Sequence, residues 1–328
     1  MEYSPVTHTT TERRLARLPS GQTVSVTVHR YVGAPGPTVY VQATQHGIEL
    51  NGPAALRRLH GRLRDAAIAG TVIAVPVANP PAFDHRSYMS PAAYDALNPN
   101  MNRTWPGDPD GSLQQRAVTR LWELVEGVDA VVDLHSGTAD MMTHVRHADA
   151  APDARRLAEA FGTAYRFVDT VDSGEDGHAG GTLRAAAADA GVPAITAELA
   201  NSGRVSPAAA ETGASGVVNV LRSLDVLEAN PRERDAQTVL RPDGISITAT
   251  ESGLFEPASD VEIGTSVAAG DTLGAVYSPS TFERLEVVTA EADGLVYSIP
   301  RGATIIAGER AVGIARRGTD ARGASPTR

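Results

Sequence analysis

His46-Gly-Ile-Glu49 and Asp133-Leu-His135-Ser-Gly137 are the stretches whose residue types can act together: two imidazoles and a carboxylate, each set close behind an apolar run. Three nitrogen and oxygen ligands of this kind suit a tetrahedral Zn²⁺ whose fourth position stays open for water, as in a catalytic rather than a structural site. Nine histidines are spread over the chain, and an isolated His is usually a surface or hydrogen-bonded residue, so placement has to decide. Thr38-Val-Tyr-Val-Gln-Ala43 has the β-branched character of a buried strand, and Asn51 followed by Pro53 resembles a helix entry. His46 and Glu49 therefore fall on a strand-to-helix turn, where open α/β sheets carry their ligands. Asp129-Ala-Val-Val-Asp-Leu134 reads as a central strand that delivers His135 at its carboxyl end.

A metal-activated water also needs a base, a donor for the developing oxyanion and a grip on the substrate. Glu198 ends the apolar run Val192-Pro-Ala-Ile-Thr-Ala197, where a carboxylate without a task is costly. It is the expected general base, taking a proton from the water and passing it to the leaving nitrogen. Residues 79–111 form a long stretch rich in Pro, Asn and Asp, and irregular segments of that length are usually functional. They supply Arg86 and the pair Asn102-Arg103, followed by Trp105-Pro-Gly107. A guanidinium fork suits either an oxyanion or a bidentate hold on a carboxylate. His144 and His147 form a second metal-like pair, but without a carboxylate at helical spacing they are expected at the surface.

Composition removes whole classes of chemistry. The chain of 328 residues has no cysteine, which excludes thiol catalysis, thiolate zinc sites and disulfides. It also has no lysine, all 29 basic residues being arginine, which excludes Schiff-base cofactors, a Walker-type phosphate loop and a lysine-borne swinging arm. A net charge of −10 with no basic run argues against nucleic acid or an anionic membrane as partner. No stretch approaches the ~18 apolar residues of a spanning helix, and residues 1–20 lack an apolar signal core, so a cytoplasmic location is expected.

Strands and helices alternate from about Arg14 to Leu227, the pattern of an α/β sandwich. A helix over residues 51–69 places Ala55, Leu56, Leu59, Leu63, Ala66 and Ala67 on one face and is expected to stop at Gly70, and Ser112-Leu-Gln-Gln115 is a capping box opening another. The expected organisation is a zinc-dependent α/β unit over 1–229, a linker over 230–242, a small all-β unit over 243–316 and a disordered tail over 317–328. The spacing Val267-x-x-Gly-Asp-x-Leu-Gly274 resembles the small β-barrel of biotinyl and lipoyl carriers, although the carrier lysine is missing.

Taken in order, His46-Gly-x-Glu49, Asn79-Pro80 with Arg86, Asn102-Arg103 before an aromatic and Pro-Gly, Asp133-Leu-His135-Ser-Gly and Glu198 resemble the succinylglutamate desuccinylase and aspartoacylase family, relatives of the zinc carboxypeptidases. The likeness spans roughly residues 38–200. It implies an α/β/α sandwich with a mixed sheet and one Zn²⁺ per chain held by His46, Glu49 and His135. It further implies Glu198 as base, Arg86 polarising the scissile carbonyl, and Asn102 with Arg103 holding a substrate carboxylate. The expected partner is a small carboxylated N-acyl amino acid, with a homo-oligomer possible. A carboxypeptidase acting on short peptides and a catalytically silent binder of a carboxylated metabolite are the alternatives.

Overall fold

A computed structural model describes residues 1–169, 180–231, 236–242, 246–301 and 303–318. The chain opens with β1 (Ser4–Pro5), β2 (Thr7–Arg17) and β3 (Thr23–Val32), then enters β4 (Ala34–Ala43), α1 (Asn51–Leu63) and β5 (Ala67–Val75). In β3, Val24, Val26 and Val28 are buried at a spacing of two, so this strand covers the core with one face. β2 and β3 form an antiparallel pair that joins the sheet through β5.

The expected helix over 51–69 ends earlier. α1 stops at Leu63, and Gly70 lies inside β5 rather than at a helix end. Its φ is +109°, and a Cβ there would stand 2.0 Å from the Pro37 carbonyl oxygen. Gly70 thus admits the close approach of Pro37 where the parallel register of β4 on β5 shifts between Ala34 and Thr38.

After β5 come α2 (Pro80–Asp84), α3 (Leu113–Trp122), β6 (Ala130–Gly137), β7 (Asp140–Met141), β8 (His144–Ala148), α4 (Pro152–Phe161), β9 (Tyr165–Asp169), α5 (Leu183–Asp189), β10 (Ala194–Asn201), α6 (Pro207–Ser223) and β11 (Thr238–Arg241). The sheet runs β11-β9-β8-β10-β6-β4-β5-β3-β2. It is mixed: β4 is parallel to both β5 and β6, β6 to β10, and β8 to β9, whereas β8 runs antiparallel to β10. One face packs α1, α4 and α6 through Val41, Leu134, Ala197, Leu157 and Val217. The other packs α3 and α5 through Tyr40, Val131, Val118 and Leu183. The helices start where side chains satisfy their first N–H groups: Asn79, Ser112, Thr182 and Ser206 each accept from the backbone three residues on, and Ser112 with Gln115 completes the capping box.

His144 and His147 are buried, contrary to the surface position expected of them. β8 lies between β9 and β10, so both of its edges are paired, while α4 packs on one face and Phe167 and Tyr297 stand against His144 on the other. His144 Nδ1 donates to the Met142 carbonyl at 2.7 Å, and His147 Nε2 accepts from Arg166 at 2.8 Å.

The remaining strands are β12 (Ser246–Thr248), β13 (Gly253–Pro257), β14 (Ser266–Val267), β15 (Thr272–Tyr277), β16 (Arg284–Thr289), β17 (Gly294–Ile299), β18 (Ala303–Ile305) and β19 (Arg310–Arg317). A separate antiparallel sheet, β16-β15-β13-β18, encloses an apolar core with β12, β17 and β19 through Phe255, Leu273, Val276 and Val312. Two of the expected boundaries fall differently. The stretch expected as a linker contains β11, whose Leu240 and Arg241 pair with Arg317 and Arg316 of β19. Arg317, expected in the disordered tail, therefore closes a strand, while residues 319–328 lie outside the described part. The pairing of Met141 with Ser298 ties β7 to β17, close behind the end of β6.

Candidate metal centre and active site

β4 and β6 are adjacent and parallel, with Ala43 opposite Leu134, so their carboxyl ends open side by side. The chain leaves β4 through Thr44, at φ +61°, an uncommon conformation for a β-branched residue. The turn that follows carries His46 and Glu49. Gly47 is required here: a Cβ would stand 2.1 Å from the Ala82 carbonyl, so only hydrogen lets α2 press against the turn. His46, Glu49 and His135 are brought together, each buried, with one ligand atom apiece lying within 4.8 Å of the others.

The hydrogen bonds around this trio define which nitrogens face inward. His135 Nε2 lies 2.8 Å from Asp133 Oδ2, and His46 Nε2 lies 3.1 Å from Asn100 Oδ1. Asn100 Oδ1 also accepts from the Asn102 backbone N–H at 3.0 Å, which establishes it as the oxygen. Both rings are thus held with Nε2 protonated, and both turn Nδ1 toward Glu49, at 2.8 Å from Oε1 for His46 and 3.0 Å from Oε2 for His135. The His135 contact meets the distance for an ion pair but not the direction of a hydrogen bond, and Glu49 Oε2 is a buried oxygen without a hydrogen-bond partner among the described residues. Two imidazole lone pairs facing a carboxylate, with an orphaned oxygen between, form a donor set for a divalent cation.

The charges agree. Burial alone would raise the Glu49 carboxyl, but the charges of His46 and His135 and the hydrogen bond with His46 hold it down at about 2. Burial would lower the His135 imidazole, yet the Asp133 and Glu49 carboxylates push it well above its ordinary value. The ionised carboxylate therefore requires positive charge beside it, as protons on the rings or as a bound metal.

A second layer holds the trio. Trp105 donates its indole N–H to Gln45 Oε1 at 2.7 Å, and Gln45 Nε2 donates to Asp133 Oδ2 at 2.6 Å. Gln42 donates to the other Asp133 oxygen at 3.2 Å. Tyr88 stacks on His46, ring centroids 4.0 Å apart. None of these five was among the expected site residues in a role of its own. Asp133 stood in the quoted motif, and its spacing of two from His135 on one strand was the available signal. Tyr88 had no such signal, because only the return of the long loop brings it over His46.

Glu198 is buried and sits in register with His135 across the parallel pair of β10 and β6. Residues in register on neighbouring strands project to the same face, so the carboxylate stands beside the trio rather than in solvent. Ala200, just beyond, has φ +55°. Asn102 and Arg103 lie in a single 3₁₀ turn over Met101–Arg103, both half-buried. Asn102 Oδ1 accepts from the Leu183 N–H at 3.1 Å and so ties this turn to the start of α5, while Arg103 donates to the Asn102 carbonyl at 2.8 Å. Arg86 is exposed just past α2, at φ +51°, two residues before the Tyr88 that covers His46. Thr44 and Ala200, each two residues from an expected site residue, and Arg86 itself thus have positive φ, a form of strain that collects at functional sites.

Residues 35–224 match the sequence family of the succinylglutamate desuccinylase/aspartoacylase catalytic domain. The N-alpha-acetyl-L-2,4-diaminobutyric acid deacetylase of Halomonas elongata is 32% identical over 256 residues, covering 74% of this chain and 71% of that protein. A succinylglutamate desuccinylase structure from Silicibacter sp. superposes with a TM-score of 0.83 at 25% identity, covering 97% of this chain and all (100%) of the other. The product-bound ectoine utilization protein EutE (DoeB) of Ruegeria pomeroyi gives a TM-score of 0.82 at 25% identity, over 96% and 100% of the two chains. The large mixed sheet with a separate small antiparallel sheet is the fold of these structures.

Proposed function

The chain belongs to the succinylglutamate desuccinylase/aspartoacylase family, and on that premise we propose that it is a zinc-dependent deacylase hydrolysing the amide bond of a small N-acyl amino acid. The observation that carries this reading is the trio His46, Glu49 and His135 with Glu198 in register beside it. A bound Zn²⁺ supplies a Lewis acid that lowers the pKa of water and polarises a carbonyl.

The protein's own groups supply the rest. Asp133 and Asn100 keep the rings of His135 and His46 turned with Nδ1 toward Glu49, so that these nitrogens with the carboxylate would hold the ion. Glu198 takes a proton from the attacking water and returns it to the departing amine nitrogen, so that a free amino acid and a carboxylate leave. Arg86 donates to the oxygen that gains charge as the carbonyl becomes tetrahedral. Asn102 and Arg103 hold the substrate carboxylate, fixing the amide over the base. Tyr88, stacked on His46, covers that ring against water.

Assay of N-acetyl and N-succinyl amino acids, with zinc and after chelation, tests the reading. Turnover that vanishes on chelation and returns with Zn²⁺ supports it, whereas full activity in metal-free protein overturns it. Release of carboxyl-terminal residues from dipeptides, with acyl amino acids untouched, would instead establish a carboxypeptidase.

A further inference from the structure

We propose that His8, His29 and His60 form a second divalent-metal site, separate from the trio at His46. The three offer one ring nitrogen each within a 4.8 Å sphere of mutual distance and are only half-buried, so an ion can reach them. They come from three elements: His8 from β2, His29 from β3 and His60 from α1. His8 is the cross-strand partner of Tyr31, two residues from His29, so the antiparallel register stacks these side chains on one face. The ring centroids lie 5.3 Å apart for His8 and His29, 4.9 Å for His8 and His60, and 5.9 Å for His29 and His60.

The site lies on the other side of the sheet from His135. His29 is in register with Ala74, Ala74 with Val41 and Val41 with Val132, and Val132 is an odd number of residues from His135 on β6. An ion bound here is separated from the proposed reaction by the sheet itself.

The distances suit a metal. His8 Nε2 and His29 Nδ1 are 3.1 Å apart. A tetrahedral zinc with Zn–N bonds of ~2.05 Å sets its ligand atoms ~3.3 Å apart, so this pair is close to bonding separation and a small ring adjustment of His60 completes the set. The Tyr31 hydroxyl lies 2.8 Å from His60 Nδ1. Burial pushes that phenol up to about 12, so it stays neutral and serves as an outer partner that orients the ring. Burial and the neighbouring charges, His60 and Arg64 for His8 and the other two histidines for His29, lower both imidazoles. They are then neutral near pH 7, the form that binds metal. Arg64 itself is drawn toward Asp65 at 3.4 Å. A set of imidazoles without thiolate or carboxylate selects borderline ions such as Zn²⁺ or Ni²⁺ over Ca²⁺ or Mg²⁺. The ion would pin the β2–β3 hairpin to the end of α1.

Titration of Zn²⁺ alone into chelator-stripped full-length protein, read by calorimetry and by metal analysis after desalting, tests the site. His46→Ala protein is expected to retain one equivalent, which the additional pair His8→Thr and His29→Thr removes. In protein with His46 intact, the His8→Thr/His29→Thr pair should leave deacylase turnover within about twofold and show a smaller zinc-dependent rise in thermal midpoint than the unsubstituted protein, the rise from the His46 site remaining. Tyr31→Phe should weaken this equivalent by roughly tenfold. The milder His60→Gln serves if the hairpin pair folds poorly. Absence of zinc from His46→Ala protein, or its retention once the hairpin and helix histidines are replaced, overturns the proposal. Because those readouts use protein without His46, they stand or fall independently of the deacylase reading.

Discussion

Trp105 holds Gln45 in a single orientation: the indole N–H donates to Gln45 Oε1 at 2.7 Å, which leaves the amide nitrogen 2.6 Å from Asp133 Oδ2. That carboxylate oxygen is the one 2.8 Å from His135 Nε2. A side chain on the long loop therefore sets, through two intermediaries, which nitrogen of His135 faces Glu49.

Trp105→Phe keeps the ring and removes the donor. Gln45 is then free to flip, and its amide oxygen would face Asp133. Zinc affinity, measured by competition with a chromophoric chelator, is expected to fall by about 10- to 100-fold, as is usual for loss of an outer-shell partner. Asp133→Asn should fall in the same range. Unchanged affinity in both variants would show that the chain from Trp105 to His135 does not act on the ligand.

Glu198→Gln removes the base without altering shape. Turnover of the best N-acyl amino acid should drop about 10²- to 10⁴-fold while zinc content stays the same by metal analysis. A protein that only binds its ligand would show no such loss.

Arg86 and Arg103 should separate kinetically. Arg86→Ala is expected to lower kcat by about 10²-fold, as for a donor to a developing oxyanion. Arg103→Ala should chiefly raise KM, because a carboxylate hold operates equally in the ground state. The reverse pattern would exchange their roles.

Asp169 links acidity to stability. It accepts from Arg146 at 2.7 and 3.1 Å and from Arg184 at 2.5 Å. Burial would raise its carboxyl, but the two guanidinium groups hold it at about 2, against 3.8 for a free aspartate. A depressed folded-state value stabilises the fold above the unfolded value, and that contribution is lost as pH falls from about 4 toward 2. Its full size is about 2 kcal/mol. Chemical unfolding of the native protein and Asp169→Asn across pH 6 to 2 checks this: the gap between them should narrow as acid is added.

The ligand trio was legible in the sequence because it is local. A β-branched run followed by a turn before a helix fixes where His46 and Glu49 fall, and the period-two alternation of side chains along a strand places Asp133 and His135 on one face of β6. The capping box was legible for the same reason, since Ser112 and Gln115 act on each other within three residues. Gly70 was misread because a glycine that admits a neighbouring strand's backbone at a register shift resembles one that ends a helix until the Pro37 carbonyl is seen beside it. His144 and His147 were misread because burial of a strand depends on its neighbours, and the antiparallel insertion of β8 between β9 and β10 is a long-range fact.

By itself the sequence determined the chemical alphabet of this protein: no thiol, no amine side chain, and two imidazoles with a carboxylate at spacings that backbone periodicity turns into a site. Only the tertiary structure decided what surrounds that alphabet. The stacking of Tyr88 on His46, the Trp105–Gln45–Asp133 relay, the register of Glu198 beside His135 and the gathering of His8, His29 and His60 all join residues from different strands, helices or loops. Pair distances across a sheet depend on strand order and register, and those are settled by the packing of the whole chain.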